Sequence, residues 1–98
     1  MEKTKSIITD YENICFLCGR PSEGEHHLLF GTGKRRLAEE DGLKIPICNQ
    51  CHTLGVVTGR IHDNPMAEKL SKMLGQALYE TRIGSRQEFM KRYGKSYL

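Results

Sequence analysis

Hydrophobic and polar positions divide the chain into an irregular first half and a helical second half. From Met66 to Leu78, apolar residues recur every three or four positions, which predicts an amphipathic helix with an apolar stripe toward the core. Asn64 is a good N-cap and Pro65 suits the first helical position, so the helix begins there and ends near Ile83 and Gly84. The predicted core stripe consists of Met66, Leu70, Met73, Leu74, Ala77 and Leu78.

A second helix is predicted at the C-terminal end. Ser85 and Glu88 have the spacing of a capping box, and Gly94 suits a helix stop, so the helix runs from about Arg86 to Tyr93. Its apolar side is predicted to dock on the preceding helix through Phe89, Met90 and Tyr93.

The first half has shorter and weaker patterns. Residues 1–13 are polar and charged, and they read as a tail or an edge strand. Residues 25–30 suit a strand that enters a glycine loop. Residues 34–41 are rich in helix formers and are followed by Gly42 in the position of a helix C-cap. Residues 43–47 alternate as a half-buried edge strand does.

Composition indicates a domain that needs a staple. Only 38% of the residues are hydrophobic and Trp is absent, so a single small core is expected to depend on disulfides, a metal or a partner. No apolar run approaches the roughly 20 residues that span a bilayer, and the N-terminus lacks the apolar region of a secretory signal. We therefore expect a soluble, intracellular protein without membrane partners, in a compartment where disulfides do not persist.

The four cysteines form two pairs of Cys-x2-Cys spacing. Cys15 and Cys18 make the first pair, and Cys48 and Cys51 make the second. Four thiolates in two tight turns are what a closed, tetrahedral structural zinc site needs. The sequence therefore predicts one structural zinc, with a long insertion between its two knuckles.

All four histidines lie in or just after the segment that the cysteines bound. His26 and His27 are adjacent, and His52 directly follows the second knuckle. His62 lies ten residues further on. A second metal site is the simplest reason for this concentration.

These motifs resemble those of a known family. Residues 15–62, with the phrases HHLLFGTG and DGLKIPIC followed by CH, are similar to the HNH, or ββα-metal, endonucleases, especially to small phage-type members with two zinc knuckles. The resemblance implies a small, zinc-stabilised α+β domain. Its treble-clef, ββα-metal core is expected over residues 14–62, with two C-terminal helices in residues 64–98. It also implies a phage or prophage protein that hydrolyses phosphodiester bonds of nucleic acid, most often DNA.

Residue roles follow from the same resemblance. His26 and His52 match metal ligands, His27 matches the general base, and His62 is a further candidate ligand. The pattern differs in two places, since residues 41–44 contain no Asn to orient the base, and the first ligand is His where many members have Asp. Nitrogen ligands favour Mn²⁺, Co²⁺, Ni²⁺ or Zn²⁺ over Mg²⁺ as the second metal.

Charge adds a candidate nucleic-acid surface. The net charge is +3, and a basic cluster beside the proposed site is predicted to contact phosphates; it consists of Lys34, Arg35 and Arg36. The main alternative is an inactive zinc-binding module that binds DNA or a protein partner. A redox role for the cysteine pairs is weaker, because the pattern lacks parallel strands. Substrate structure and a homodimeric state stay open.

Overall fold

Two short antiparallel strands form the sheet of this α+β protein, for which the computed structural model describes residues 4–55 and 60–98. Strand β1 spans Gly24–His27 and strand β2 spans Lys44–Ile47, with His26 opposite Ile45. All of β2 is buried. Its outer edge is covered by the first knuckle, whose Phe16 N–H donates to a β2 carbonyl. The acceptor is the carbonyl of Pro46, so this contact needs no N–H from the proline, and Pro46 is tolerated in the strand.

Helix α1 connects the two strands. It spans Lys34–Asp41 and ends at Gly42, as predicted. Gly42 has φ +71°, and a Cβ atom there would lie 2.5 Å from the carbonyl oxygen of Lys5. The N-terminal segment crosses this glycine, where the Ile7 N–H donates to the Gly42 carbonyl at 3.0 Å. Residues 4–13 contain no strand, so this segment is a packed tail.

Both C-terminal helices begin where the sequence predicts. Helix α2 spans Pro65–Arg82, and the Asn64 side chain accepts hydrogen bonds from two backbone N–H groups of its first turn. Helix α3 spans Arg86–Tyr93 and starts with a complete capping box. No helix within the described residues has the length and apolarity needed to cross a membrane.

The buried face of α2 differs from the predicted stripe. Met66 and Leu70 are 70% and 66% exposed. Gly75 instead faces the chain after β1, where an added Cβ would lie 3.1 Å from Leu28 and from Leu29. The small residue brings α2 close to this chain, so a partly polar face is buried and Met66 and Leu70 turn outward, whereas Leu78 packs against the core as predicted. The buried residues of α2 are Ser71, Gly75, Gln76 and Tyr79.

Two hydrophobic clusters share the interior. An aromatic cluster lies between the three helices, with the Phe89 and Tyr93 rings stacked at 4.7 Å; its buried members are Leu29, Ala38, Leu43, Tyr79, Phe89 and Tyr93. A second cluster surrounds the cysteines and contains Cys15, Ile47, Cys48 and Ile61. Helix α2 contacts both, because Ala67 packs on the cysteine cluster and Tyr79 belongs to the aromatic one.

An ion pair fixes α3 to the end of α1. The Arg92 guanidinium binds both carboxylate oxygens of Asp41, at 2.8 and 3.0 Å, and the Tyr93 hydroxyl donates to the same carboxylate at 2.6 Å. Such two-pronged contacts are stronger than single ion pairs. Arg92 therefore has a structural role, as does Arg86, which pairs with Glu80 at 3.0 Å.

Candidate metal centres and the histidine cleft

The four cysteine sulfurs lie together, within 4.8 Å of one another. Cys18 Sγ and Cys48 Sγ are 3.5 Å apart. Sulfurs around a tetrahedral zinc ion are about 3.8 Å apart, since each Zn–S bond is about 2.3 Å. The first turn is closed by Gly19, with φ +80° and an N–H that donates to the Cys15 carbonyl. The cluster is therefore suited to bind a metal, with zinc as the ion that four thiolates favour.

The thiols influence one another strongly. Burial opposes ionisation of Cys15, but backbone N–H groups, first that of Cys48, outweigh it and lower the Cys15 pKa to about 6. Burial and the neighbouring thiols raise the pKa of Cys51 to about 12. A central cation removes this conflict, because it stabilises all four thiolates at once.

Three histidines from separate segments form a second group. His26 is on β1, His52 is in a short π-helical turn (Gln50–Leu54), and His62 is in a 3-10 turn (Ile61–Asp63). One ring nitrogen from each lies within 4.8 Å of the others. His52 Nε2 and His62 Nε2 are 3.0 Å apart. The structure thus brings together the three predicted ligands of the second metal.

Hydrogen bonds assign the tautomer of His26. Its Nε2 lies 2.9 Å from Ser71 Oγ, and the Ser71 hydroxyl donates to the Leu28 carbonyl at 2.9 Å. The single hydroxyl proton is used in that bond, so Ser71 accepts from the Nε2–H of His26. Nδ1 of His26 consequently keeps its lone pair. Burial first, and then the neighbouring His62 and His52, lower the His26 pKa to about 3, so the ring is in the neutral, metal-binding form.

His62 is oriented in a similar way. Its Nδ1 lies 3.2 Å from a carboxylate oxygen of Glu68, which can only accept, so the Nε2 lone pair points toward His52. Nitrogens on a tetrahedral ion with bonds of about 2.1 Å are about 3.4 Å apart, close to the observed separation of the two Nε2 atoms. Burial also lowers the pKa of His52. Three imidazole rings whose nitrogens converge in this way are suited to bind a divalent metal.

His27 has a different partner. Its Nε2 lies 2.8 Å from Glu39 Oε1, and the other oxygen of Glu39 accepts from Lys44 Nζ at 2.8 Å. Lys44 is 1% exposed and also contacts Glu25 at 3.1 Å. The hydrogen bond from Lys44 to Glu39, with a contribution from His27, lowers the Glu39 pKa to about 2. Glu39 is therefore ionised and accepts Nε2–H, which leaves Nδ1 of His27 as the basic nitrogen.

All four histidines open into one cleft of about 340 Å³. The cleft also contains an arginine from α1 and an aromatic ring. Its lining consists of Glu25, His26, His27, Phe30, Gly31, Arg35, His52 and His62.

The predicted phosphate contacts separate in the structure. Arg35 lines the cleft. Lys34 instead donates to the Tyr97 hydroxyl at 2.9 Å, and Arg36 is exposed and 3.7 Å from Glu40. Only one member of the basic cluster therefore lies at the histidines.

Sequence reasoning missed the residues that orient the rings. Glu39, Ser71 and Glu68 lie 12, 45 and 6 positions from their histidine partners. The sequence indicated a special role only for Ser71, because it is a polar residue between Leu70 and Leu74 on a helix. Glu39 offered no signal among the other charges of α1.

Comparisons with known proteins provide no further constraint. No protein-family model matches the chain, and neither a curated protein nor a solved structure matches it. A functional interpretation of the cleft therefore depends on its geometry and chemistry.

Proposed function

We propose that the protein is a metal-dependent endonuclease of the HNH type, which hydrolyses phosphodiester bonds of nucleic acid, with DNA as the expected substrate. One observation carries this proposal. Three histidines present converging donor nitrogens in the same cleft in which a fourth histidine, His27, is held by a carboxylate. A site that only binds metal has no need of the fourth ring and its carboxylate partner.

The order of elements supports a ββα-metal, treble-clef core. Strands β1 and β2 pair antiparallel with α1 between them, and the second knuckle and the turn that carries His52 follow β2 directly. The four cysteines tie the loop before β1 to the segment after β2. A structural zinc there fixes the strand of His26 relative to the turn of His52.

The second metal would be held by His26, His52 and His62. The buried, neutral ring of His26, its hydrogen bond to Ser71 and the hydrogen bond of His62 to Glu68 fit such an ion. When bound, a divalent metal would supply Lewis acidity that stabilises the negative charge developing on the phosphodiester. A donor set of three nitrogens favours Mn²⁺, Co²⁺, Ni²⁺ or Zn²⁺ over Mg²⁺.

The protein's own residues perform the proton transfer. His27 Nδ1 accepts a proton from the attacking water, and the imidazolium that forms is stabilised by the ionised Glu39 at 2.8 Å. Lys44 keeps Glu39 ionised and fixed in position. Arg35, in the same cleft, supplies a cation for the phosphate.

A plasmid-nicking assay with each of the five divalent metals tests the proposal. We expect cleavage by the wild type, with more activity in Mn²⁺ or Ni²⁺ than in Mg²⁺. His27→Ala should lose cleavage while the second metal still binds, whereas His26→Ala should lose that metal. Glu39→Gln keeps an acceptor for His27 without the charge, so we expect intermediate rates, about 10- to 100-fold below wild type.

Controls make the outcome decisive. Each variant should retain one zinc per chain and a wild-type far-ultraviolet circular dichroism spectrum. Wild-type rates for His27→Ala would remove the base assignment. A wild type that cleaves no duplex, single-stranded or branched DNA with any metal would support the inactive binding module instead.

A further inference from the structure

Three lysines from different parts of the chain surround one tyrosine ring. The Nζ atoms of Lys34, Lys72 and Lys95 lie 5.6, 5.5 and 5.2 Å from the centroid of Tyr97. We name these four residues the lysine–tyrosine cluster. No side-chain carboxylate within residues 4–55 and 60–98 forms an ion pair with any of the three lysines.

The cluster concentrates positive charge without neutralising it. The electron-rich face of an aromatic ring attracts ammonium groups, and Lys34 also donates to the Tyr97 hydroxyl. Three like charges around one ring nevertheless repel one another. An anion placed among them offsets this repulsion, and phosphate is an anion that lysines bind as point charges.

An aromatic ring joins the cluster to the histidine cleft. Lys72 Nζ lies 4.6 Å from the centroid of Phe30, and that ring is 4.8 Å from His62 and 5.5 Å from His26. Phe30 also lines the cleft. A strand that leaves the cleft across Phe30 therefore meets Lys72 first.

The surface beyond Phe30 has room for a strand. A depression of about 500 Å³ is lined by Lys72, Lys95 and Tyr97, and by the exposed Lys69. Its one acidic side chain, Glu68, is hydrogen-bonded to His62 at 3.2 Å. Three lysines outnumber this one acidic side chain, so the side chains of the depression carry net positive charge.

We infer that the lysine–tyrosine cluster binds the backbone phosphates of the nucleic-acid strand next to the bond that is cleaved. This inference rests on the proposed function, because it takes the cleft to be the cleavage site. Lysine contacts with phosphates are electrostatic, so the cluster positions a strand without reading its sequence.

The test measures binding without cleavage. The probe is a fluorescein-labelled single strand of about 12 thymidine nucleotides, followed by anisotropy at several salt concentrations with zinc-loaded protein and no added second metal. Each lysine–phosphate contact to a single strand contributes about 0.7 to the salt slope, or about fivefold in affinity near 0.1 M salt. Lys72→Gln/Lys95→Gln should therefore bind about 25-fold more weakly, with a slope lower by about 1.4.

A matched variant controls for net charge. Arg82→Gln/Lys91→Gln removes the same charge from exposed positions on α2 and α3 outside the cluster. Its affinity should fall by less than about threefold, because distant charges are screened. If the lysine double variant does not fold, exposed Lys95→Gln alone should still show about a fivefold loss.

The outcomes separate this inference from the proposed function. Equal losses in the two double variants, or no binding of the probe by wild type, would overturn the cluster as a binding site. A wild type that binds the strand through the cluster but cleaves no DNA with any metal would overturn the nuclease proposal and the position beside a cleaved bond, but not phosphate binding by the cluster. If the wild type cleaves DNA and the lysine double variant binds the probe with wild-type affinity, only the inference about the cluster is overturned.

Discussion

Ser71→Ala tests how the cleft prepares a metal ligand. Ser71 is buried, accepts from His26 Nε2 and donates to the Leu28 carbonyl, both at 2.9 Å. Alanine removes both bonds and leaves two buried polar groups without these partners. The proton of His26 can then move from Nε2 to Nδ1, the nitrogen whose lone pair is proposed to bind the metal.

The magnitudes follow from those two bonds. Each unsatisfied buried group costs about 1–3 kcal/mol, so the free energy of unfolding should fall by about 2–6 kcal/mol. That is a large part of the roughly 5–15 kcal/mol that stabilises a typical domain. Loss of the group that orients a ligating histidine weakens metal binding about 10- to 100-fold.

Thr81→Ala is a matched control on the same helix. Its hydroxyl also donates to a carbonyl, that of Ala77 at 2.7 Å, but the site is exposed. We expect a change below about 0.5 kcal/mol. Urea unfolding gives the stabilities, and titration of zinc-loaded protein with Co²⁺, followed by absorption, gives the affinity of the second site.

Two results would refute the reasoning. Ser71→Ala with wild-type Co²⁺ affinity would show that Ser71 does not set the tautomer of His26. Equal losses of stability in Ser71→Ala and Thr81→Ala would show that the buried bonds contribute no more than an exposed one.

Three further predictions concern the zinc, the cleft charge and pH. Cys48→Ala should abolish cooperative unfolding and zinc binding, because about 10–16 kcal/mol of binding energy at such sites is folding energy; a folded, zinc-free variant by circular dichroism and elemental analysis would contradict this. Arg35→Gln should weaken oligonucleotide binding about fivefold near 0.1 M salt and Arg36→Gln much less, since only Arg35 lines the cleft; equal effects in anisotropy would count against it. Burial holds the pKa of His26 at about 3 against 6.5 in the unfolded chain, so only the unfolded chain gains this proton as pH falls from 6.5 to 3. Without the second metal, the free energy of unfolding measured in urea should therefore fall as pH decreases through that window. The fall should be steeper for the wild type than for His26→Asn, by up to about 1.4 kcal/mol per pH unit. The same pH dependence in both proteins would refute the prediction.

Local signals explain what the sequence predicted well. The starts of α2 and α3 and the end of α1 depend on residues within one turn, such as Asn64, Ser85 and Gly42. Clustering of the cysteines was also predictable, because two Cys-x2-Cys pairs are a typical ligand pattern of a structural zinc site. These features need no knowledge of distant contacts.

Distant contacts explain what the sequence did not predict. The apolar stripe of α2 identified the wrong face at Met66 and Leu70, since the small Gly75 determines which side approaches β1. Buried Gln76 is another case, because its carbonyl oxygen accepts from the Tyr97 N–H at 2.6 Å, and only the folded chain brings the two together. The partners of the histidines escaped prediction for the same reason.

Helix α2 has an optical consequence, because it joins the cysteine cluster to the aromatic cluster. The chain has no Trp and four tyrosines, of which Tyr11 is 73% exposed and the other three lie in or against the aromatic cluster. The tyrosine part of the near-ultraviolet signal therefore originates mainly in the aromatic cluster and in Tyr97, which packs against it. Zinc itself has no absorption band in this region. Its removal by a chelator should nevertheless be visible as a loss of tyrosine ellipticity, because α2 contacts both clusters.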